Sequence, residues 1–352
     1  MKIYIRSTGN VSPQKTFGDV PFLTEPVSYW GNRLSCVEPD YKEFIDVKLI
    51  RRMSRIIKMG VAAGFASLKE ANVEIPDAII TGTAYGCLED TGIFLTKMVE
   101  QHEEMLSPTA FIQSTHNTVG AQVALMMHCH NYNNTFVHRG FSFESALLDA
   151  ILLLNEEKAS NVLVGSVDEI INASHTLLSR FGLYKREEIS NTELYSSKTK
   201  GTIAGEGAAF FLLSGKPNGN DYAELCVMTT FYKPDNEKEI EEQILSFLKA
   251  QSVNIDEIDL VITGRNGDTK HDEVYDALGD SVFKNIDAVN YKHLCGEYPT
   301  SSAFALWLAA NIIKRNEIPP VIGSPKKQKI KTVLIYNNYL GIHHSLFLLS
   351  AC

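Results

Sequence analysis

The stretch from Thr135 to Glu169 constrains the whole chain. Its first part, TFVHRGFSFESALLDA (Thr135 to Ala150), runs extended into a turn at Gly140 and then changes period. Phe143, Ala146, Leu147, Ala150 and Leu154 recur at helical spacing, which predicts a helix over Phe143–Glu156 with one dry face. Asn161 to Val164 follows, apolar apart from its first residue, as expected of an interior strand in a layered α/β sheet. In such folds the tip where a strand enters a helix commonly seats a nucleophile. Here that tip carries Gly140.

The rest of the chain repeats this rhythm. Lys2–Ser7 predicts an opening strand, Val11–Glu38 an irregular segment and Pro39–Met59 a helix that Gly60 bends or ends. Val61–Ala71 is again helical, Asp77–Thr81 a buried strand and Leu88–Met105 a long helix. Pro108–Phe111 opens an extended connection. A helix over Asn117–Met127 follows, with Asn117 as N-cap and Gly120 and Ala121 admitting a close neighbour. Thr135–Val137 is a short strand, and Gly201–Ser214 combines a glycine-rich turn with another buried strand.

Gly215–Asp221 (GKPNGND) is the best boundary, which divides the chain into halves at 1–215 and 222–352. Beyond it come strands at Tyr222–Thr230, Ile258–Thr263, Ala288–Asn290, Val333–Asn337 and Leu346–Leu349. Helices are expected at Asn236–Ser252, His271–Leu278 and Ser301–Lys314. Alternating strands and helices in both halves predict a duplicated α/β architecture with mostly parallel sheets.

Composition excludes several function classes. The 352 residues, 44% of them hydrophobic, suffice for a sizeable core. With 42 acidic against 33 basic residues and no long basic block, a nucleic-acid groove is not expected. No apolar run reaches the ~18 residues of a membrane helix, and MKIYIRSTGN lacks a signal-peptide core. The six cysteines are scattered without a CxxC pair. A reducing cytoplasm is the simplest reading.

Several short motifs then meet in a familiar order. They are TGTAYGCLED (Thr81 to Asp90), PTAFIQSTHNTVG (Pro108 to Gly120), Phe143 to Glu169, GEGA (Gly205 to Ala208), Lys292 to Leu306, and NNYLGIHHSL (Asn337 to Leu346). In this arrangement the chain resembles the β-ketoacyl-acyl carrier protein synthases of the thiolase-like superfamily. The resemblance implies a duplicated five-layer α-β-α-β-α fold. It also implies a dimer through the segment around 108–140 and a buried site where the halves join.

Active members of that family use a cysteine to attack an acyl thioester, with two histidines and a lysine completing the site. Carried over through the flanking motifs, the cysteine position falls on Gly140, and the first histidine on or beside Gly264 and Arg265. The second histidine falls on Glu297, while the lysine is kept as Lys292. The gating loop is altered to Tyr339, Leu340 and Gly341. The resemblance is therefore to a member without the catalytic cysteine and both histidines, similar to a chain length factor. Those subunits commonly carry glutamine rather than glycine at the cysteine position.

Glycine cannot form an acyl-enzyme, and an anionic Glu297 is the wrong partner for an enolate. Other groups have both a plain and a sharper reading. Cys295, beside Lys292 and His293, is a buried small hydrophobe or a relocated nucleophile, and Cys87 is weighed the same way. His128, Cys129 and His130 alternate as they would along a strand, but lack an acidic partner for zinc, so no metal or cofactor is expected. Arg139, beside His138, reads as a solvated or interface salt bridge, or as a group that plugs the vacant site or pairs with Glu144 or Glu297. His343 and His344 read as satisfied polar residues, and Glu206 and Lys292 as structural contacts. Arg51, Arg52, Arg55 and Lys58 form a solvated basic face or a dock for an acidic acyl carrier protein.

Three functions compete. The first is a non-catalytic chain-length-factor-like partner of a catalytic ketosynthase homologue in fatty acid, polyketide or aryl polyene synthesis. The second is a divergent 3-oxoacyl synthase or malonyl decarboxylase with a relocated nucleophile. The third is a homodimeric module that binds acyl groups or carrier protein.

Overall fold

The computed structural model describes residues 1–327 and 329–352. Ten strands join in one sheet. The first five are β1 (Tyr4–Val11), β2 (Ala78–Gly82), β3 (Tyr132–Phe136), β4 (Asn161–Asp168) and β5 (Gly207–Ser214). The second five are β6 (Ala223–Tyr232), β7 (Leu260–Thr263), β8 (Ala288–Asn290), β9 (Thr332–Tyr339) and β10 (His343–Ser350). The order across the sheet is β8-β7-β9-β10-β6-β1-β5-β4-β2-β3. Read outward from the middle, each set of five runs first, fifth, fourth, second, third. The pairing directions repeat as well. The two sets pair at Tyr4–Glu224 and Ile5–Ala223 on β1 and β6.

The strands look continuously apolar because both of their faces are covered. Along β5, Ala209, Phe211 and Leu213 face one core while Ala208, Phe210 and Leu212 face another. Along β9, Val333 and Ile335 share the first core, and Leu334 and Tyr336 face a third. The helices are α1 (Arg55–Ala71), α2 (Leu88–Glu100), α3 (Pro108–Gln113), α4 (Thr118–Met126) and α5 (Ser142–Asn155). They continue with α6 (Asn172–Arg180), α7 (Glu237–Ala250), α8 (Glu273–Asp280) and α9 (Ser302–Arg315). Helices α5 and α9 lie in the core shared by strands of both sets. Helices α1 and α4 cover the outer face of the first set, and α7 and α8 that of the second. The resulting layers are α-β-α-β-α.

Some expectations fail for identifiable reasons. The sheet is mixed rather than mostly parallel. Strands β5 and β10 run antiparallel to both neighbours, since β10 is reached from β9 by a tight turn and needs no crossover helix. The segment 39–54 forms two separate short turns, at Tyr41–Glu43 and Val47–Ile50, rather than one helix. Helix α1 runs straight through Gly60, where a Cβ would collide with Val119, so the glycine serves close packing of α1 on α4. Pro108 starts a helix instead of an extended segment, because proline at the first helical position loses no hydrogen bond. Asn117 precedes α4 without capping it, and its side chain accepts from Thr115 instead. His128 to His130 lie in the turn after α4, not on a strand.

Candidate functional site

Strand β3 ends at Phe136, and a single 3-10 turn at Arg139–Phe141 leads into α5. Arg139 sits at φ +49°, and Ser142 locks the turn by accepting from His138 N at 2.8 Å and donating to Arg139 O at 2.8 Å. Gly140 is buried at the centre of this turn. A Cβ there would lie 2.9 Å from Tyr339 Cδ1 and 3.0 Å from both Cβ and Cγ of His343. The ring of Phe141 meets His343 edge-on at 4.7 Å. The space a nucleophilic side chain would need is filled.

The β9–β10 hairpin places those side chains. It is paired as far as Tyr339–His343 and closes over Leu340 and Gly341, both with positive φ (59° and 63°). Ile342 N donates to Tyr339 O at 3.2 Å, and Asn338 accepts from Gly341 N at 3.0 Å. Asn338 in turn donates to the Tyr275 hydroxyl of α8 at 2.9 Å. Of the segment Tyr339–Gly341, Tyr339 thus ends β9, and Leu340 and Gly341 form the hairpin turn.

A second group of buried polar residues gathers after β8. Lys292 is fully buried in the turn Lys292–Cys295. Its Nζ donates to Glu297 Oε1 at 2.6 Å and to Ser301 Oγ at 2.5 Å. Asn266 Nδ2 donates to Glu297 Oε2 at 2.8 Å. The Glu297 backbone is bonded to Ile203 and Gly205, which ties this loop to the GEGA turn. Both carboxylate oxygens of Glu297 are occupied by donors from this chain.

The two residues assigned to the first histidine position lie elsewhere. Gly264 ends β7 against Asn337, where a Cβ would not fit. Arg265 turns outward to Asp272 and Asp276. Asn266 is the residue that reaches Glu297. Asp272 holds the loop by accepting from the backbone N–H of Asn266 and Gly267 at 3.0 and 2.7 Å.

The alternative nucleophiles are poorly placed. Cys295 is completely buried, and its Sγ faces the Gly296 carbonyl at 3.3 Å. Burial pushes its thiol well above the ordinary range, and nearby Lys292 offsets this only in part. Burial also raises the Cys87 thiol, with Asp90 and Glu169 adding to the effect. His343 and His344 are both held towards the neutral form by burial, His344 down to about 4. His344 Nδ1 lies 2.9 Å from the Tyr336 hydroxyl. Arg139 is exposed and makes no ion pair among the described residues, so it pairs with neither Glu144 nor Glu297.

Glu144, one turn into α5, is the least satisfied group here. It is 1% exposed, and neither of its carboxyl oxygens has a hydrogen-bond partner among the described residues. Burial pushes its pKa up to about 7. The Ser302 and Ser345 hydroxyls and Lys292 counter this, although neither hydroxyl has good bonding geometry. Asp168 is raised to about 6 by burial, against hydrogen bonds from Thr300 (2.7 Å), Ala84 N and Thr83. Glu206 is fully buried and accepts from Arg55 at 2.7 and 2.5 Å, and also from Cys36 N and Ile170 N. Arg55 is therefore a structural partner of the GEGA turn and not part of a free basic face. Among the described residues, no group of three or more His, Cys, Asp or Glu side chains could hold a metal ion.

Residues 34–180 match the family model of the β-ketoacyl synthase N-terminal domain. The ishigamide ketosynthase/chain length factor superposes over 100% of this chain and 99% of its own, with a TM-score of 0.80 at 16% identity. The chain has the thiolase-like β-ketoacyl synthase fold. A β-ketoacyl synthase from Burkholderia phymatum STM815 shares this fold over 100% of this chain and 99% of its own, with a TM-score of 0.76 at 13% identity. So does a structure of the ketosynthase ApeO in complex with its chain length factor ApeC from Xenorhabdus doucetiae, over 100% and 98%, with a TM-score of 0.74 at 14% identity. No curated protein matches the chain by sequence. Lys292, Glu297 and Asn266 form one buried group, and Gly140 lies against Tyr339 and His343.

Proposed function

We propose that this protein is a non-catalytic β-ketoacyl synthase-like subunit. In this reading its fused halves, 1–215 and 222–352, pair with an active ketosynthase as a chain length factor does, in fatty acid, polyketide or aryl polyene synthesis. The observation that carries this reading is the packing of Tyr339 and His343 against Gly140. Condensation on this fold begins with a thiolate attacking an acyl thioester, and Gly140 offers neither the group nor the space. The second half-reaction needs donors aimed at a developing enolate. The donors near Lys292 are already committed to Glu297, whose carboxylate would oppose that charge.

A partner face supports the same reading. Strand β3 is the outermost strand of its set, so one of its edges is unpaired among the described residues. Exposed apolar residues gather on the elements around it, including Val99, Phe111, Ile112, Leu125, Val137 and Leu148. An acyl carrier protein is the second proposed partner. Arg51 and Arg52 are exposed and remain available to it.

Co-expression with a cysteine-bearing ketosynthase tests the proposal. Native mass should give a 1:1 complex, and changing Phe111 and Leu125 to Asp should abolish it without lowering the melting temperature. A stable homodimer that ignores every such homologue would instead favour a homodimeric binding module.

A further inference from the structure

A cavity of about 300 Å³, whose lining includes neither Gly140 nor its neighbours Tyr339 and His343, lies between β1, the loop 15–23 and the C-terminal half of α9. It is at the small end of the range for ligand pockets. Its walls combine aromatic rings with uncommitted donors. Phe22 and Trp307 pack edge to face at 5.8 Å. The Arg315 guanidinium carbon stands 5.3 Å from the Phe22 ring centroid, and Arg315 Nε donates to Asn311 Oδ1 at 3.3 Å. Asn311 is itself held by donating to Trp307 O at 3.0 Å. The guanidinium is thus oriented by neutral groups. Neither Arg315 nor Lys15, the other cation on the cavity wall, makes an ion pair among the described residues.

Asn10 supplies the second, independent observation. It is 3% exposed and lines this cavity, yet its Nδ2 has no hydrogen-bond partner among the described residues. A buried amide donor without an acceptor is costly, and such groups are ordinarily satisfied. Two acidic side chains share the wall. Glu70 is already committed, its two oxygens accepting from the Tyr222 hydroxyl at 2.5 Å and from Thr8 N at 2.9 Å. Asp19 is exposed on the loop.

We propose that this cavity binds a small organic acid anion, a carboxylate or phosphate monoester on an apolar or aromatic body. The anion would accept from Arg315 and Asn10 while the body rests on Phe22 and Trp307. A guanidinium and an amide N–H are suited to a planar or tetrahedral oxyanion. The site is independent of the reading of Gly140. It draws its walls from segments on both sides of the 215–221 boundary, so an occupant would stabilise the folded chain by mass action.

Benzoate, phenyl phosphate and neutral benzamide, each titrated into the full chain at constant ionic strength, test this by calorimetry and thermal melting. At least one of the two anions should bind saturably and raise the melting temperature, while benzamide should not. Arg315→Gln, an exposed change that leaves the unliganded melting temperature in place, should weaken anion binding about tenfold or more. Asn10→Ala should weaken it as well. Equal binding of benzamide, unchanged affinity in Arg315→Gln, or no binding of either anion at about 10 mM would overturn the proposal.

Discussion

A Cβ on Gly140 would sit 2.9 Å from Cδ1 of Tyr339, closer than real side chains tolerate. Tyr339 is 6% exposed and its backbone is held by the last pair of the β9–β10 hairpin, so its buried ring has little room to move. Gly140→Cys should therefore fail to restore acylation and should destabilise the fold by about 1–3 kcal/mol, the usual cost of overpacking. Chemical denaturation checks the stability, and intact mass after incubation with acyl carrier protein checks for an adduct. Adding Tyr339→Ala should relieve the clash, so that the double variant loses less than the sum of the single changes.

Lys292 and Glu297 form a buried ion pair completed by Asn266 and Ser301. Removing either partner leaves a buried charge. Lys292→Met or Glu297→Gln alone should each cost about 3–5 kcal/mol. The double variant should cost much less than the two together. An additive double-mutant cycle in urea denaturation would show that the pair is not coupled.

Glu144 gives a pH signature. Burial raises its carboxyl from 4.5 to about 7, so the folded protein holds this proton to higher pH than the unfolded chain does. Its contribution to stability is complete below about pH 4.5 and is lost as pH rises through 7. Glutamine mimics the neutral form. Glu144→Gln should match wild type at pH 4.5 and exceed it at pH 8, by at most about 3 kcal/mol. Parallel stability curves across this range would contradict the burial argument.

Arg51, Arg52 and Arg55 are close in sequence but differ in role. Arg55→Glu opposes buried Glu206 and should lower stability by several kcal/mol, roughly the loss expected for a broken buried pair. Arg51→Glu with Arg52→Glu should leave stability within about 0.5 kcal/mol. If the carrier docks there, the same double change should weaken carrier binding. Thermal melts and a carrier titration separate the two effects.

Much of the fold was legible because strands covered on both faces leave plain apolar runs, as in Gly207–Ser214 and Thr332–Tyr339. The dry face of α5 was equally plain from Phe143, Ala146, Leu147 and Ala150. The directions of β5 and β10 were not legible, since an apolar run carries no sign of parallel or antiparallel pairing. The motif order singled out Lys292 and Glu297, which the structure joins in an ion pair, but not Asn266, which bonds the same carboxylate from a distant loop. The packing of Tyr339 on Gly140 and of Arg55 on Glu206 joins residues distant in sequence. Local periodicity contains no trace of either contact.

The central claim is that this subunit has no condensing chemistry of its own. It is tested most directly by incubating the purified protein with acyl- and malonyl-loaded carrier protein, then following intact mass and carbon dioxide release. The account predicts no acyl adduct on any cysteine and no decarboxylation above the carrier-only control. An adduct on Cys295 or Cys87, or turnover abolished by changing Lys292, would contradict it.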